Sequence, residues 1–306
     1  MMMTEPRAFT KLRGTLSRGA ALAPYTTWRC GGPADQTYVP ADRDDLASFL
    51  RQLAPEEPVV ALGLGSNTLV RDGGIRGTVV ILHNPGAALA IADGLVYADA
   101  GVACPKLARF AALHGCAGAE FMAGIPGAVG GALAMNAGCY GGETWRNVVR
   151  VEVVGRDGRF DIRTHADYAI GYRSVRRADG SASDGIFTAA WFSFPPGDAT
   201  VARARIKELL AQRIATQPLN LPNAGSVFRN PEGDHAARLI EQCGLKGFTI
   251  GGANVSEKHA NFIVNPKRTA RAADIEALIV HVRATVRTKT GIDLEPEVRI
   301  IGEAGP

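Results

Sequence analysis

The chain has 306 residues and a mass of 32.2 kDa, enough for two or three packed units with cores of their own. Hydrophobic residues make up 46% and charged residues 21%, which describes an ordinary soluble globular protein. The 34 basic and 30 acidic residues leave a net charge of +4. That excess suits an anionic small molecule, and with no Lys/Arg block it excludes a nucleic-acid binder. Five scattered cysteines (Cys30, Cys104, Cys116, Cys139, Cys243) with no C-x-x-C exclude a disulfide framework and structural zinc, and point to a reducing cytoplasm. The start, Met1 to Arg7, has no apolar h-region, so nothing marks export, and no apolar run reaches the ~20 residues of a spanning helix.

In chain order, residues 10–19 read as a short opening helix. Tyr25–Ala34 reads as an extended segment broken by a glycine turn. Asp42 is a good N-cap for a helix in which Leu46, Phe49, Leu50 and Leu53 share one face. Strands follow at Val59–Leu62 and Thr78–Leu82, then at Leu95–Ala100, with a helix around Pro105–Leu113. Val149–Val154 alternates, Gly155–Gly158 is a turn signal, and Arg159–Arg163 pairs back as a hairpin. Ile186–Phe194 is a further strand. A helix at about 199–214 offers Val201, Ile206, Leu209, Leu210 and Ile214 for burial, and Gln217-Pro218 stops it. Leu219–Gly225 is a linker by composition. The remainder reads as a helix at His235–Cys243, short strands at Thr249–Ile250 and Phe262–Val264, and a long helix. That helix buries Ile275, Leu278, Ile279, Val282 and Val286 and ends at Gly291, before a closing strand at Glu297–Ile301.

Two glycine-rich stretches carry the functional signal. Glu120–Gly138 holds Glu120 as its one charged residue and is dense in glycine. Glycine packs nothing and costs backbone entropy, so this composition suits a backbone that must approach a phosphate or a flat ring. Gly63-Leu64-Gly65-Ser66-Asn67-Thr68 follows a strand but lacks the third glycine and the helix of a Rossmann fingerprint, and it has no Gly-Lys of a Walker loop. Together the stretches suggest a two-sided clamp on a dinucleotide. Among other polar groups, Tyr172-Arg173-Ser174 follows a probable turn, Ser226 and Asn230 enter the last segment, and Glu297 and Arg299 lie on the last strand. No metal-ligand spacing and no G-x-S-x-G elbow occurs.

Five blocks, in order and spacing, resemble the UDP-N-acetylenolpyruvoylglucosamine reductase family. They are Thr27–Ala34, Gly63–Gly74, Glu120–Gly138, Gly225-Ser-Val-Phe-Arg-Asn-Pro231 and Glu297-Val-Arg299, with Leu239–Gly247 and His259–Asn265 also similar. The resemblance covers residues 20–302. It implies an α+β chain with an FAD-binding fold of the vanillyl-alcohol oxidase type in two subdomains, 1–83 and 84–218, plus a C-terminal α+β substrate-binding domain, 219–306. FAD would be non-covalent, held by Gly63, Leu64, Gly65, Ser66, Asn67 and Thr68, and by Gly124, Ile125, Pro126, Gly127, Ala128, Gly130, Gly131, Asn136, Ala137 and Gly138. NADPH would be the co-substrate.

The implied reaction reduces the enolpyruvyl ether of UDP-N-acetylglucosamine to UDP-N-acetylmuramate for peptidoglycan, and so serves cell-wall growth, shape and division. Hydride would pass from NADPH to the flavin and then to C3 of the ether. Arg173 would stabilise the enolate-like carboxylate, Ser226 would donate the proton to C2, and Glu297 would assist. Tyr172, Arg213, Asn230 and Lys246 would contact the substrate. Serine directly after Arg173 departs from the family's Tyr-Arg-x-Ser, which puts Ser174 in question. Cys30 and Arg229 also depart from the usual residues, away from the proposed chemistry. The 52 residues between Arg173 and Ser226 match the shorter subclass without an extra tyrosine loop. A monomer is favoured. The alternative in the same fold is an FAD-dependent oxidase of a hydroxy acid or alcohol.

Overall fold

A computed structural model describes residues 9–181 and 184–305. The N-terminal stretch read for export, Met1 to Arg7, lies outside them. The first unit is a four-stranded sheet in the order Thr15–Arg18, Ala34–Val39, Ile75–Ile81, Val59–Leu62; the first pair is antiparallel and the others parallel. The helix Arg43–Gln52 packs Leu46, Phe49 and Leu50 onto Tyr38 and Val80. Asp42 is its N-cap as expected, accepting from Asp45 N at 2.9 Å.

Residues 10–19 form no helix. Thr15–Arg18 pairs with Ala34–Val39 instead, and Leu16 joins the core beneath that sheet. Gly14 explains the switch: a Cβ there would lie 2.3 Å from Val39 O, so the chain runs tight against its partner strand where a helix has no room. Cross-strand pairing outweighs the weak local helical signal.

The second unit is antiparallel throughout, in the order Phe160–Arg163, Val148–Val154, Ile186–Phe192, Leu95–Asp99, Leu89–Ala92. The expected hairpin is present, with Val151 opposite Arg163. The helices Cys104–Leu113, Val129–Ala134 and Ala199–Thr216 share one apolar core with this sheet. In Ala199–Thr216 the buried stripe is Ala202, Ile206, Leu209 and Arg213, a spacing of i, i+4, i+7, i+11. Val201 and Ile214 fall off that stripe and are exposed, contrary to the sequence reading. A hairpin not foreseen, Tyr168–Gly171 with Ser174–Arg177, places Tyr172 and Arg173 at its tip.

The third unit packs the helices Ala236–Gln242 and Ala272–Thr290 on a small antiparallel sheet of Thr249–Ile250, Ala253–Val255 and Ile263–Val264. Ile275, Leu278, Ile279, Val282 and Val286 are all buried, and Gly291 caps the helix at φ +77°. This unit is stitched to the first. The last strand, Arg299–Ile301, pairs in parallel with Thr68–Val70. Trp28, fully buried, donates Nε1–H to Ile263 O at 2.8 Å, and Asn265 Nδ2 donates to Trp28 O at 2.9 Å.

Asp72, on the turn after Thr68–Val70, caps the long helix of the third unit. It accepts from Ala272 N and Ala273 N, each at 2.9 Å, and Arg71 pairs with Glu276 one turn later. Replacing Asp72 with alanine strips two orphan N–H groups of their acceptors, and is expected to cost about 1–2 kcal/mol, while Asp72→Asn, with one acceptor oxygen for the two N–H groups, should lose part of that. Denaturant midpoints of the two variants against the parent check this.

Candidate active site

A cleft of about 750 Å³ runs between the two glycine-rich stretches and ends against the third unit. The strand Val59–Leu62 delivers Gly63–Thr68 to one wall, and Ile125–Ala137 forms the other. The walls meet closely: a Cβ on Gly127 would lie 3.3 Å from Ser66 Oγ, and one on Gly63 would lie 3.5 Å from Ala128 Cβ. The clamp read from the sequence is therefore a single two-sided groove.

The groove fits a dinucleotide. Its volume lies within the ~300–1,000 Å³ of small-molecule sites. Among the described residues, the N–H groups of Gly65, Ser66 and Asn67 make no hydrogen bond to the protein, which leaves adjacent donors for phosphate oxygens. Gly65 sits at φ +61° and passes so close to Tyr25 that a Cβ would lie 2.2 Å from its carbonyl oxygen. A Cβ on Gly131 would meet nothing within 4 Å, so the groove is open at that point.

The other residues named for the cofactor divide by position. Leu64, Thr68, Ile125, Ala128 and Ala137 line the groove. Gly130 also borders it, but its N–H donates to Ala100 O at 2.9 Å and a Cβ there would press on Ala100. Gly124 is packed against Cys139 and Tyr140, and Gly138 against Gly142. Asn136, buried at φ +44°, accepts from Trp145 N and donates to Gly171 O, so it braces the Tyr172–Arg173 hairpin from below. Pro126 borders a second, smaller hollow.

At the mouth of the groove, three chain segments converge on a carboxylate. Arg173 occupies the hairpin tip at φ +54°, and its Nη2 donates to Gly138 O at 3.1 Å. Its Nε lies 2.8 Å from Glu297 Oε1 as an ion pair, though the buried Nε–H is not aligned on any acceptor. Glu297 is held by its backbone: its N–H donates to Val227 O at 2.8 Å and its carbonyl accepts from Asn67 Nδ2 at 3.1 Å. Burial pushes the Glu297 carboxyl above its ordinary range, against the opposing pull of Arg173 and Arg229. Ser226 immediately precedes Val227, so the Glu297 backbone is anchored one residue from it. Its hydroxyl makes no hydrogen bond among the described residues, and Ser226 itself borders neither the groove nor the smaller hollow.

Arg229 is nearer this chemistry than the sequence suggested. It borders the groove, its Nη2 reaches Arg173 O at 3.5 Å, and its Nη1 lies 3.1 Å from Glu295 Oε1. Ser174 and Arg176 line the groove from the unforeseen hairpin. Val175 between them lines it too, so no alternation along that strand marks them in the sequence.

The substrate candidates do not all gather. Arg213 is buried and lines the smaller hollow. Tyr172 is exposed, its ring 5.6 Å from the Arg173 guanidinium carbon. Asn230 accepts from Ala236 N at 3.1 Å and so tethers the start of a helix, while Lys246 pairs with Glu241 at 2.8 Å. Neither Asn230 nor Lys246 borders the groove or the hollow.

Residues 34–161 match the model of the FAD binding domain family. With the groove between Gly63–Thr68 and Ile125–Ala137, that makes the chain an FAD-containing oxidoreductase of α+β fold with a C-terminal domain. Residues 217–301 match the UDP-N-acetylenolpyruvoylglucosamine reductase C-terminal domain. The protein of that name from Nitrosospira multiformis is 55% identical over 96% of this chain and 90% of its own length. That from Methylococcus capsulatus is 56% identical over 95% of both chains. The crystal structure of UDP-N-acetylenolpyruvylglucosamine reductase from Thermus caldophilus superposes with a TM-score of 0.77 at 33% identity, covering 94% of this chain and 99% of that one. The chain belongs to the UDP-N-acetylenolpyruvoylglucosamine reductase family.

Two predictions follow from the groove and its mouth. Gly131→Leu fills open groove, so it should abolish retained FAD absorbance with little change in the melting temperature of the FAD-free protein. Gly130→Ala, a Cβ 2.9 Å from Ala100 Cβ, should instead lower that melting temperature. A raised carboxyl pKa binds its proton more tightly in the folded state. The stability Glu297 contributes is therefore present below its ordinary pKa of 4.5 and lost as pH rises through the higher folded value. Melting temperatures should thus show Glu297→Gln gaining on the parent as pH rises from about 4 to 7. A pH-independent difference would contradict the burial argument.

Proposed function

We infer that this chain catalyses the NADPH-dependent reduction of the enolpyruvyl ether of UDP-N-acetylglucosamine to UDP-N-acetylmuramate, a step of peptidoglycan precursor synthesis. The observation that carries the reading is the meeting of Arg173, Glu297 and the Ser226 segment at the mouth of the FAD groove, in a chain related to these reductases over nearly its whole length. FAD, when bound, supplies the redox centre that accepts a hydride from NADPH and passes it to the substrate. The groove residues Gly63–Thr68 and Ile125–Ala137 hold it without a covalent bond.

The remaining work falls to side chains. Net addition of hydride at C3 and a proton at C2 saturates the enol ether, and negative charge builds on the carboxylate between the two events. Arg173 carries a permanent charge and a planar fork that matches a carboxylate, and its placement by Gly138 O and Glu297 needs no reorganisation as charge develops. Ser226 donates the proton at C2. Its hydroxyl, without a hydrogen bond among the described residues, supports that role, and the buried Val227 and Phe228 fix the backbone that presents it, since a serine acts as an acid only in a preorganised site. Glu297, with its carboxyl pushed up by burial, orients Arg173 and is able to hold a proton. Arg213, Asn230 and Lys246 contact the UDP portion, and Tyr172 contacts the substrate.

The 1–83, 84–218 and 219–306 division carries this reading: the first two parts hold FAD and the third presents Ser226 and Glu297. The protein acts in the cytoplasm as a monomer and serves cell shape and division. Its five free cysteines support the reducing compartment. No helix of the described residues is long and apolar enough to cross a membrane. Relationship to reductases over both halves of the chain favours this activity over an oxidase of the same fold, which would form peroxide without NADPH.

Ser226→Ala is the decisive variant. Stopped-flow absorbance should show flavin reduction by NADPH preserved, with reoxidation by the enolpyruvyl substrate slowed on the order of 10²–10³-fold. Equal impairment of both half-reactions would remove Ser226 from the proton-transfer role.

A further inference from the structure

The block His259–Asn265 holds a buried asparagine that touches no cleft. Asn261 is 3% exposed and borders neither the groove nor the smaller hollow. It sits just ahead of the strand Ile263–Val264 in the third unit. Both of its side-chain hydrogen bonds, and one from its backbone, run to the two residues that follow Ser226. Its Oδ1 accepts from Phe228 N at 2.9 Å, its Nδ2 donates to Phe228 O at 2.8 Å, and its carbonyl accepts from Val227 N at 2.9 Å.

That pattern is a strand pairing made by a side chain. An amide side chain carries the donor and the acceptor of a peptide group, so it exchanges both bonds with one residue as an opposing strand would. The other edge of the same segment belongs to the residues around Glu297. Val227 O accepts from Glu297 N at 2.8 Å, and Arg229 N donates to Glu295 O at 2.9 Å. Residues 227–229 are thus gripped from two sides, with Glu297 on one and Asn261 on the other.

Ser226 has no such grip of its own. Neither its backbone nor its hydroxyl makes a hydrogen bond among the described residues. On its N-terminal side Gly225 stands at φ +76°, with open space where a Cβ would be, and its N–H donates to Asn223 Oδ1 at 2.9 Å. A glycine leaves the backbone free to turn there, so the direction of Ser226 is set from its C-terminal neighbour. The Val227 N–H belongs to the peptide that joins Val227 to Ser226, and Asn261 O is what holds it.

We propose that Asn261 is a positioning residue for Ser226, holding the Ser226–Val227 peptide and the Phe228 backbone so that the serine hydroxyl is directed at the reacting carbon. It touches neither substrate nor cofactor and acts through the serine alone. The proposal rests on the reading of Ser226 as the proton donor at C2.

A double-mutant cycle in the FAD-loaded protein tests it. Asn261→Ala should slow flavin reoxidation by the enolpyruvyl substrate on the order of 10–100-fold, the scale of a misplaced catalytic group, with flavin reduction by NADPH and bound FAD as in the parent. In a Ser226→Ala background the same substitution should change reoxidation less than about twofold, because the group it positions is gone. The fall in melting temperature on Asn261→Ala should be alike in both backgrounds, which separates a structural cost from positioning. If the alanine variant does not fold, Asn261→Asp carries the cycle instead, since it keeps an acceptor for Phe228 N and loses the donor to Phe228 O. Equal slowing by Asn261→Ala in the two backgrounds, or of both half-reactions, would overturn the proposal and leave the Ser226 role intact. A Ser226→Ala variant that spares reoxidation would remove the proton-donor reading, and this proposal with it.

Discussion

The parallel pairing of Arg299–Ile301 with Thr68–Val70 is the constraint on which the active site depends. Thr68 ends the glycine loop that walls the FAD groove, and Arg299 lies two residues past Glu297. Pairing them fixes the carboxylate at the end of the groove, and the hydrogen bonds of Asn67 to Glu297 O and of Arg299 N to Asn67 O lock the register. A slip of one residue would turn Glu297 to the other face of the strand. The Glu297 carboxylate and the groove wall are thus held by one strand pair, though more than 200 residues separate them in sequence.

Around that junction the third unit is clamped rather than tethered. Trp28 reaches from the first unit into the core of the third, Asp72 caps its long helix, and Arg71 meets Glu276 from the same turn. The Arg71–Glu276 pair is partly exposed and contributes little by itself. The cap and the buried indole carry more, because each satisfies groups that would otherwise be orphaned on burial.

Two buried charges show how the fold holds function in reserve. Glu297 is paired with Arg173 and still has its pKa raised, because burial outweighs its partners. Among the described residues Arg213 has only neutral partners, Gln217 and Gly124 O. Backbone strain follows the same map. Of the seven non-glycine residues at positive φ among the described residues, Arg29, Arg173 and Arg268 line the two clefts. Holding such conformers costs of order 1–3 kcal/mol each, and at Arg173 the cost aims a guanidinium that a relaxed hairpin would point elsewhere.

Sequence alone determined the elements whose cause is local. Asp42 announced its helix as an N-cap, and Gly291 marked the end of the helix whose apolar stripe is Ile275 to Val286. The Val149–Arg163 hairpin was legible from alternation and a turn signal. The glycine loops showed a close backbone approach, and the order of blocks gave the family with Arg173, Ser226 and Glu297. Tertiary structure decided the rest. Residues 15–18 became a strand because a partner strand was available, and Val201 and Ile214 were left exposed because the helix turned a stripe through Arg213 inward. Asn230 serves a helix start, Arg229 stands beside Arg173, and three arginines from distant segments share one hollow. Those outcomes depend on which segments meet in space, and periodicity along the chain carries no information about that.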